Sequence, residues 1–285
     1  IIWNKDHDSK SYEKLRTEMR PGHSDYPAYV KYKKFNDFRG GGRFSGRLTA
    51  THVMGGAIAK KLLKIALDVD THSYTCQIGK NRMKKQASSK DYKATYSNDV
   101  RCPEKSTAEK MKKDILLARK KGDSLGGIIE SVTTNIPPGL GEPIFGSLES
   151  DLSKAMFSIP AVKGIEFGSG FMSTKIHGSK NNDAITFKRN KIITKTNNSG
   201  GIVGGISNGM PIIVRVAFKP PSSIGKKQNT INMKTNVESK LIVTGRHDPC
   251  VVPRAVPVVE NTMAIILADH SIRSGIIGTV THKNL

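Results

Sequence analysis

Three glycine- and proline-rich stretches interrupt the regular pattern of this chain. They are Gly40-Gly41-Gly42-Arg43-Phe44-Ser45-Gly46-Arg47, the run Pro137-Pro138-Gly139-Leu140-Gly141-Glu142-Pro143, and the span from Asn197 to Gly209. Glycine admits backbone conformations that other residues avoid, and proline removes a backbone donor, so each stretch reads as loop-rich. The elements between them are of mixed type. Low-complexity linkers are absent from the sequence, so one compact α+β unit over 1–285 is the expected architecture.

Periodicity places several elements between those loops. Small and apolar residues recur at helical spacing from Thr49 to Lys64, as in Val53, Ala57 and Met54, Ile58, which predicts a well-buried helix. Residues 78–106 are polar and basic and read as a surface insertion, followed by a cationic helix over about 107–121 that ends at Gly122. Gly126 to Thr133 alternates like a half-buried strand. A helix near 147–158 should bury Leu148, Leu152, Ala155 and Met156, with Ser147 as its cap. Strands are expected at Pro211–Phe218 and Leu241–Thr244, and a helix at about 257–270. The opening Ile1-Ile2-Trp3 reads as a strand entered midway, which suggests an N-terminally incomplete chain.

Charge and cysteines narrow the class. Lys plus Arg total 46 against 24 Asp plus Glu, a formal net charge of +22. Such an excess fits nucleic-acid binding, a site for anionic small molecules, or a lysine-rich surface without a partner. Lysines cluster in 80–121, where the plain surface reading is favoured, whereas several arginines sit beside glycines and prolines, as in a pocket. Aromatics are only 6% and are not interleaved with basic residues as a stacking platform requires. Cys76, Cys102 and Cys250 show no paired spacing, so neither a disulfide framework nor a zinc site is expected, and a reducing compartment is. No apolar run approaches the ~18 residues of a membrane span.

Four constellations could carry chemistry. The stretch 40–47 precedes a helix, and its backbone amides with Arg43 and Arg47 suit an anion, although a glycine triplet alone is only a tight turn. His23 lies between Gly22 and Asp25 in a turn, where a proton-transfer role and a plain surface position fit equally well. Lys219-Pro220-Pro221-Ser222-Ser223 ends a strand with a cation, a stiff turn and two hydroxyls, which suits a polar cofactor and equally ordinary turn chemistry. Arg246-His247-Asp248 is a dense ionisable triplet that a structural ion pair would also explain. Signatures of serine hydrolases, Walker-loop nucleotidases and dinucleotide-binding folds are missing from the sequence.

Read together, six segments resemble the chorismate synthase family in order. They are Arg20-Pro-Gly-His-Ser-Asp-Tyr26, Arg39 to Ala50, Gly139-Leu-Gly-Glu-Pro143, Ser158-Ile-Pro-Ala-Val-Lys-Gly164, Asn198 to Gly209, and Gly245-Arg-His-Asp-Pro-Cys-Val-Val-Pro-Arg254. The resemblance implies a β-α-β sandwich, a cytoplasmic homotetramer, and reduced FMN as cofactor. NADPH would enter only in a bifunctional member. The implied reaction is an anti-1,4-elimination of phosphate from 5-enolpyruvylshikimate 3-phosphate, giving chorismate, with neither nucleic acid nor membrane as partner. By the family's pattern Arg43, Phe44, Ser45, Pro160, Ala161, Gly204, Lys219, Pro220, Pro221, Ser222, Ser223 and Arg246 would contact FMN. Arg20, Arg47 and Arg254 would hold the substrate's anionic groups. His23 would protonate the reduced flavin or the leaving phosphate, and Asp248 would assist deprotonation near flavin N5.

The sequence departs from the pattern in two places. Many members read Arg-Ser-Ser-Ala-Arg-Glu-Thr where this chain has Arg43-Phe44-Ser45-Gly46-Arg47-Leu48-Thr49, which removes any hydroxyl contact at position 44. The family's Gly-Glu-Ser-His-Gly motif and its arginine cluster are not among these residues, so a second histidine and nicotinamide-binding arginines have no position to be assigned to. The alternatives kept beside the lyase are an inactive flavin-binding relative and a basic nucleic-acid-binding protein.

Overall fold

The computed structural model describes residues 2–3, 10–188, 190–245 and 247–278. The helices are α1 (Asp25–Lys31), α2 (Ala50–Leu67), α3 (Lys105–Lys120), α4 (Leu148–Phe157), α5 (Gly178–Asn181) and α6 (Val252–Arg273). The strands begin with β1 (Asp70–Ile78), β2 (Asn81–Arg82), β3 (Gly127–Thr134) and β4 (Val162–Phe167). Four short ones follow: β5 (Ile185–Lys188), β6 (Lys191–Thr194), β7 (Ile202–Val203) and β8 (Ile206–Ser207). The last are β9 (Ile212–Phe218), β10 (Gln228–Asn232) and β11 (Val237–Leu241).

Five strands make one antiparallel sheet in the order β2-β1-β3-β9-β4. Alternation decides which face is apolar. In β9 the residues Ile212, Val214, Val216 and Phe218 are buried, and those between them are only half-buried. That apolar face packs on α6 and α4, and α2 packs in turn on α6. Full burial of each such aliphatic side chain contributes ~1.5–3 kcal/mol. The α+β expectation therefore holds, with helices layered on a sheet.

α6 is buried almost all round because it lies between the sheet and α2. Its one buried carboxylate is tied to both neighbours. Glu260 accepts from the Ser73 amide at 2.8 Å and pairs with the Lys60 ammonium of α2. The two helices meet at Gly56, where a Cβ would lie 2.2 Å from Asn261 Cβ. A residue larger than glycine there would force the helices apart.

Several expectations need correction. α2 is not buried all round, since Met54, Ile58 and Ile65 face outward. The 78–121 stretch is more than a surface insertion. Its charges point out, but Ala87, Val100, Cys102, Ala108 and Met111 are buried. α6 starts five residues earlier than its periodicity implied, because Pro253 sits in its first turn and Pro257 inside it. A first-turn proline costs no hydrogen bond. The strand expected at Leu241–Thr244 is instead the end of the β10–β11 hairpin, whose polar sequence hid it. Ile2 and Trp3 are exposed and lie in no strand, while Ile1 lies outside the described residues.

Candidate functional site

The site is built at the end of β9. The Lys219 amide donates to Ala161 O at 2.9 Å, which clamps the Pro160-Ala161 turn against the strand's continuation. Ala161 has φ +72, a left-handed conformation that costs a non-glycine residue ~1–3 kcal/mol. Burial of Ile159 and Val162 on either side holds the turn in place. The Lys219 ammonium donates to Gly22 O. Burial pushes its pKa down, and Lys163 nearby adds repulsion. Ser124 Oγ donates to Pro221 O at 2.7 Å, and Arg20 Nη1 donates to Ser223 Oγ at 3.0 Å. Pro160, Ala161, and Lys219 through Ser223 are thus brought together with Arg20, Gly22 and His23.

Arg20-Pro21-Gly22-His23 closes a tight turn. The His23 amide donates to Arg20 O at 3.2 Å, and Gly22 takes φ +69, the positive value that the third residue of a Pro-Gly turn needs. This reversal aims Arg20 and His23 at the same carboxylate, Asp25, at the start of α1. Arg20 donates through Nε to Asp25 Oδ2 at 2.7 Å and through Nη2 to Oδ1 at 2.8 Å. His23 Nδ1 lies 2.7 Å from Oδ1. Burial alone would raise the Asp25 carboxyl, but hydrogen bonds and charge from Arg20 and His23 override it and hold the group far below the usual carboxylate range. Arg20 was expected to clamp substrate. In this geometry it is 6% exposed and its fork grips Asp25 and Ser223, so it braces the site from inside.

Arg43, Phe44, Ser45 and Arg47 lie on a different segment, two short 3-10 turns, Arg39–Phe44 and Gly46–Thr49, that run into α2. Ser45 Oγ accepts from the Arg47 amide at 3.3 Å, and both arginines are exposed. At the start of α2 the Ala50 amide already donates to Arg47 O and Leu48 O.

The other two glycine stretches pack on each other. The Leu140 amide donates to Ser207 Oγ at 2.9 Å, the Ser207 amide to Leu140 O at 2.8 Å, and the Leu148 amide to Gly205 O at 2.9 Å. Ser147 caps α4 as expected, accepting from the Ser150 amide at 3.1 Å. Within this packed pair, Gly204 alone of residues 200, 201, 204 and 205 has open space where a Cβ would stand. The 245–254 segment joins the same sheet end, since the Leu125 amide donates to Pro249 O at 2.8 Å next to Ser124. There Asp248 pairs with Arg254 Nη1 at 3.0 Å, with the arginine side chain 79% exposed. Such an exposed pair is worth only ~0–1 kcal/mol. Arg246 lies outside the described residues.

The sequence reading missed two supports. Asp183 accepts from Thr196 Oγ1 at 2.6 Å and from the Asn198 and Ser199 amides at 2.8 and 2.9 Å, fixing the entry to the 198–209 loop. Burial would raise its carboxyl, and these hydrogen bonds lower it further than that. The second is a cross-strand row in which Glu130, Arg215 and Glu166 stand opposite one another on β3, β9 and β4. Arg215 donates to Glu130 at 3.1 Å, to Glu166 at 2.5 Å, and to Gly168 O, while the Tyr74 hydroxyl bonds Glu130. A single charge inside the apolar strands β3 and β9 was the available signal, while Glu166 shares β4 with Lys163. Among the described residues no cluster of three or more His, Cys, Asp or Glu could hold a metal ion, and no helix is long and apolar enough to cross a membrane.

Comparison with known proteins supplies the family. A family model described as chorismate synthase matches residues 1–272. A chorismate synthase of Dehalococcoides mccartyi is 50% identical over 281 residues, covering 98% of this chain and 77% of that protein. Those of Korarchaeum cryptofilum and Pyrococcus abyssi are 51% and 48% identical, covering 96% and 95% of this chain and 76% and 75% of theirs. A crystal structure of chorismate synthase superposes with a TM-score of 0.71 at 31% identity, covering 86% of this chain and 69% of the other.

Proposed function

Because this chain belongs to the chorismate synthase family, with chorismate synthase function, we propose that the cluster at the end of β9 is its lyase site. The substrate would be 5-enolpyruvylshikimate 3-phosphate, the products chorismate and inorganic phosphate, and the cofactor reduced FMN. The observation that carries this reading is the convergence of 20–23, 160–161 and 219–223 at one strand end, joined through Lys219 and Arg20.

The residues present fit a phosphate-bearing flavin. Lys219, Ser222 and Ser223 offer a cation and two hydroxyls, and the open space at Gly204 leaves its backbone accessible to a ligand. Pro160, Ala161, Pro220 and Pro221 would form the walls, with Arg43, Phe44 and Ser45 closing over from the α2 side. Reduced FMN, when bound, supplies transient electron density to the substrate and a basic nitrogen for the departing proton.

The chain's own groups divide the remaining tasks. An ammonium has three donors, and Lys219 uses one on Gly22 O, which leaves two for an anion. Arg47 presents a guanidinium suited to paired contact with phosphate or carboxylate, and Arg254 offers another once it leaves Asp248. Asp248 assists removal of the proton. His23 gives a proton to the leaving phosphate. We also propose assembly as a homotetramer, which the outward apolar residues Ile58 and Ile65 on α2 and Ile185, Phe187 and Ile192 on the β5–β6 hairpin support. The three free, buried thiols support a reducing, cytoplasmic setting.

The deciding experiment measures phosphate release without oxygen, with FMN reduced, oxidised or omitted. Release only with reduced FMN is expected. Equal release without flavin, or none in any condition while FMN binds, would overturn the lyase reading, the latter in favour of an inactive flavin-binding relative. Light scattering that gives a monomer mass would overturn the tetramer.

A further inference from the structure

Asp25 stands outside every role assigned above, yet two of the site's groups depend on it. Its Oδ2 is fully engaged by Arg20, which donates from Nε at 2.7 Å and from its backbone amide at 3.0 Å. Oδ1 is shared between Arg20 Nη2 at 2.8 Å and His23 Nδ1 at 2.7 Å. Among the described residues, the other polar group recorded near Nδ1 is Ser24 Oγ, at 3.5 Å.

We propose that Asp25 is the positioning residue that sets the proton chemistry of His23, holding the ring with Nδ1–H on the carboxylate so that Nε2 is the atom that gives and takes the proton. The inference rests on the reading of His23 as a proton donor. An ionised carboxylate accepts hydrogen bonds and cannot donate them, so the proton between the two groups belongs to Nδ1. Free histidine has no such constraint, and either ring nitrogen can carry the proton. In the transfer, the Nε2–H bond breaks, an O–H bond forms on the leaving phosphate, and the nitrogen keeps the electron pair.

Arg20 explains why the arrangement is durable. Its guanidinium keeps Asp25 ionised far below neutral pH, so the acceptor does not disappear when the medium turns acid. Among the described residues, the charged groups around His23 are Asp25 and Arg20 from its own turn and α1, and Lys219 from the end of β9, with Lys163 behind it. Among these groups Asp25 is the one anion. Loss of Asp25 therefore leaves His23 facing cations alone.

Two measurements test this. The first leaves the protein intact. In the full chain with labelled histidine, the ring nitrogens of His23 are assigned by their disappearance in His23→Gln. Neutral His23 is expected as the Nδ1–H tautomer, and an Nε2–H tautomer overturns the proposal. The second is kinetic. Asp25→Asn should lower kcat by ~10²-fold, within the range general acid–base groups contribute, and move the alkaline limb of the kcat profile, where a proton donor is lost, with FMN affinity and KM nearly kept. Parent-like turnover and pH profile in Asp25→Asn, beside a crippled His23→Ala, overturns the proposal alone. Parent-like turnover in His23→Ala overturns it together with the reading it rests on. Should Asp25→Asn fail to fold after stripping Arg20 of its counter-ion, the tautomer measurement still decides.

Discussion

The glycine stretches at 39–49 and at 139–143 with 198–209 look alike as letters and serve opposite ends in the molecule. In the second pair the backbones nearly touch. A Cβ on Gly141 would lie 2.2 Å from Gly205 O, and one on Gly205 would lie 2.6 Å from Ser147 Cβ. Glycine there is a packing requirement, enforced by β7, β8 and the cap of α4. In the first, Gly42 is close-packed too, its Cβ position 2.7 Å from Asp37 O, but a Cβ on Gly46 would meet nothing within 4 Å, and the neighbouring Arg43 and Arg47 are exposed. Glycine there shapes a short turn that carries arginines to the surface. The lesson is that a glycine-rich motif serves the chain or the ligand according to what stands opposite each missing side chain. Gly204, open within an otherwise closed loop, combines both cases.

The strongest way to sharpen the contrast is to remove what braces the packed loops from beneath. Arg215 holds Gly168 O, and the Ser169 amide donates to Asn198 O at 2.7 Å, so the guanidinium supports the 198–209 loop. Arg215→Met would leave Glu130 and Glu166 without their cation on a half-covered sheet face. Breaking a buried pair in this way costs ~3–5 kcal/mol. Urea unfolding should show that loss in the midpoint. A change below about 1 kcal/mol, the value of an exposed pair, would mean the row is solvated and does not brace the loop.

Next is Gly141→Ala. Gly141 has φ +100, so alanine meets both an unfavourable backbone conformation, ~1–3 kcal/mol, and overpacking, ~1–3 kcal/mol. A loss of about 3 kcal/mol is expected from the same unfolding measurement. An alanine variant as stable as the parent would break the comparison, because the close approach would then not be what selects glycine.

Arg47→Lys probes the function side. The charge stays and the planar fork goes, so KM for the enolpyruvyl substrate should rise by about tenfold, ~1.4 kcal/mol, with FMN affinity and stability unchanged. Steady-state kinetics and an FMN titration separate these. Equal weakening of flavin and substrate would move Arg47 to the flavin and erase the division between the two regions.

How legible all this was depends on whether the signal was local. α4 and its Ser147 cap, and the strand β9, were legible because burial there follows a simple period. The start of α6 was not, because proline is a poor local signal for helix, yet Pro253 occupies the first turn and Pro257 a position from which its O still accepts from Asn261 Nδ2 at 2.7 Å. The fate of Arg20 was not legible either. Its letter sits in a ligand-like motif, but its partner five residues on decides that the fork turns inward. Glu130 and Arg215 are each the one charge in an apolar strand, and Glu166 shares its strand with Lys163. Only the sheet order, which no local pattern encodes, makes them one row.

The smallest expected effect is also the cleanest control. Gly46 follows Ser45 at the start of the second short turn, and it takes no positive φ, so alanine meets neither strain nor a neighbour. Ser45 Oγ would still accept from the Arg47 amide, and Thr49 Oγ1 would still donate to Gly46 O at 2.6 Å. Gly46→Ala should therefore change stability by no more than about 0.5 kcal/mol, in the range of surface substitutions away from special features. If alanine stabilises slightly, the cause is reduced freedom of the unfolded chain, and Gly46 is a plain turn residue. Stability and activity part company here. A methyl group on the exposed face between Arg43 and Arg47 leaves the fold alone but stands where an anion would approach the backbone. Unchanged stability with raised KM would identify Gly46 as kept for the ligand. Unchanged stability and unchanged KM would put the anion contact in the arginine side chains alone, and a stability loss like that at Gly141 would end the distinction between the two stretches.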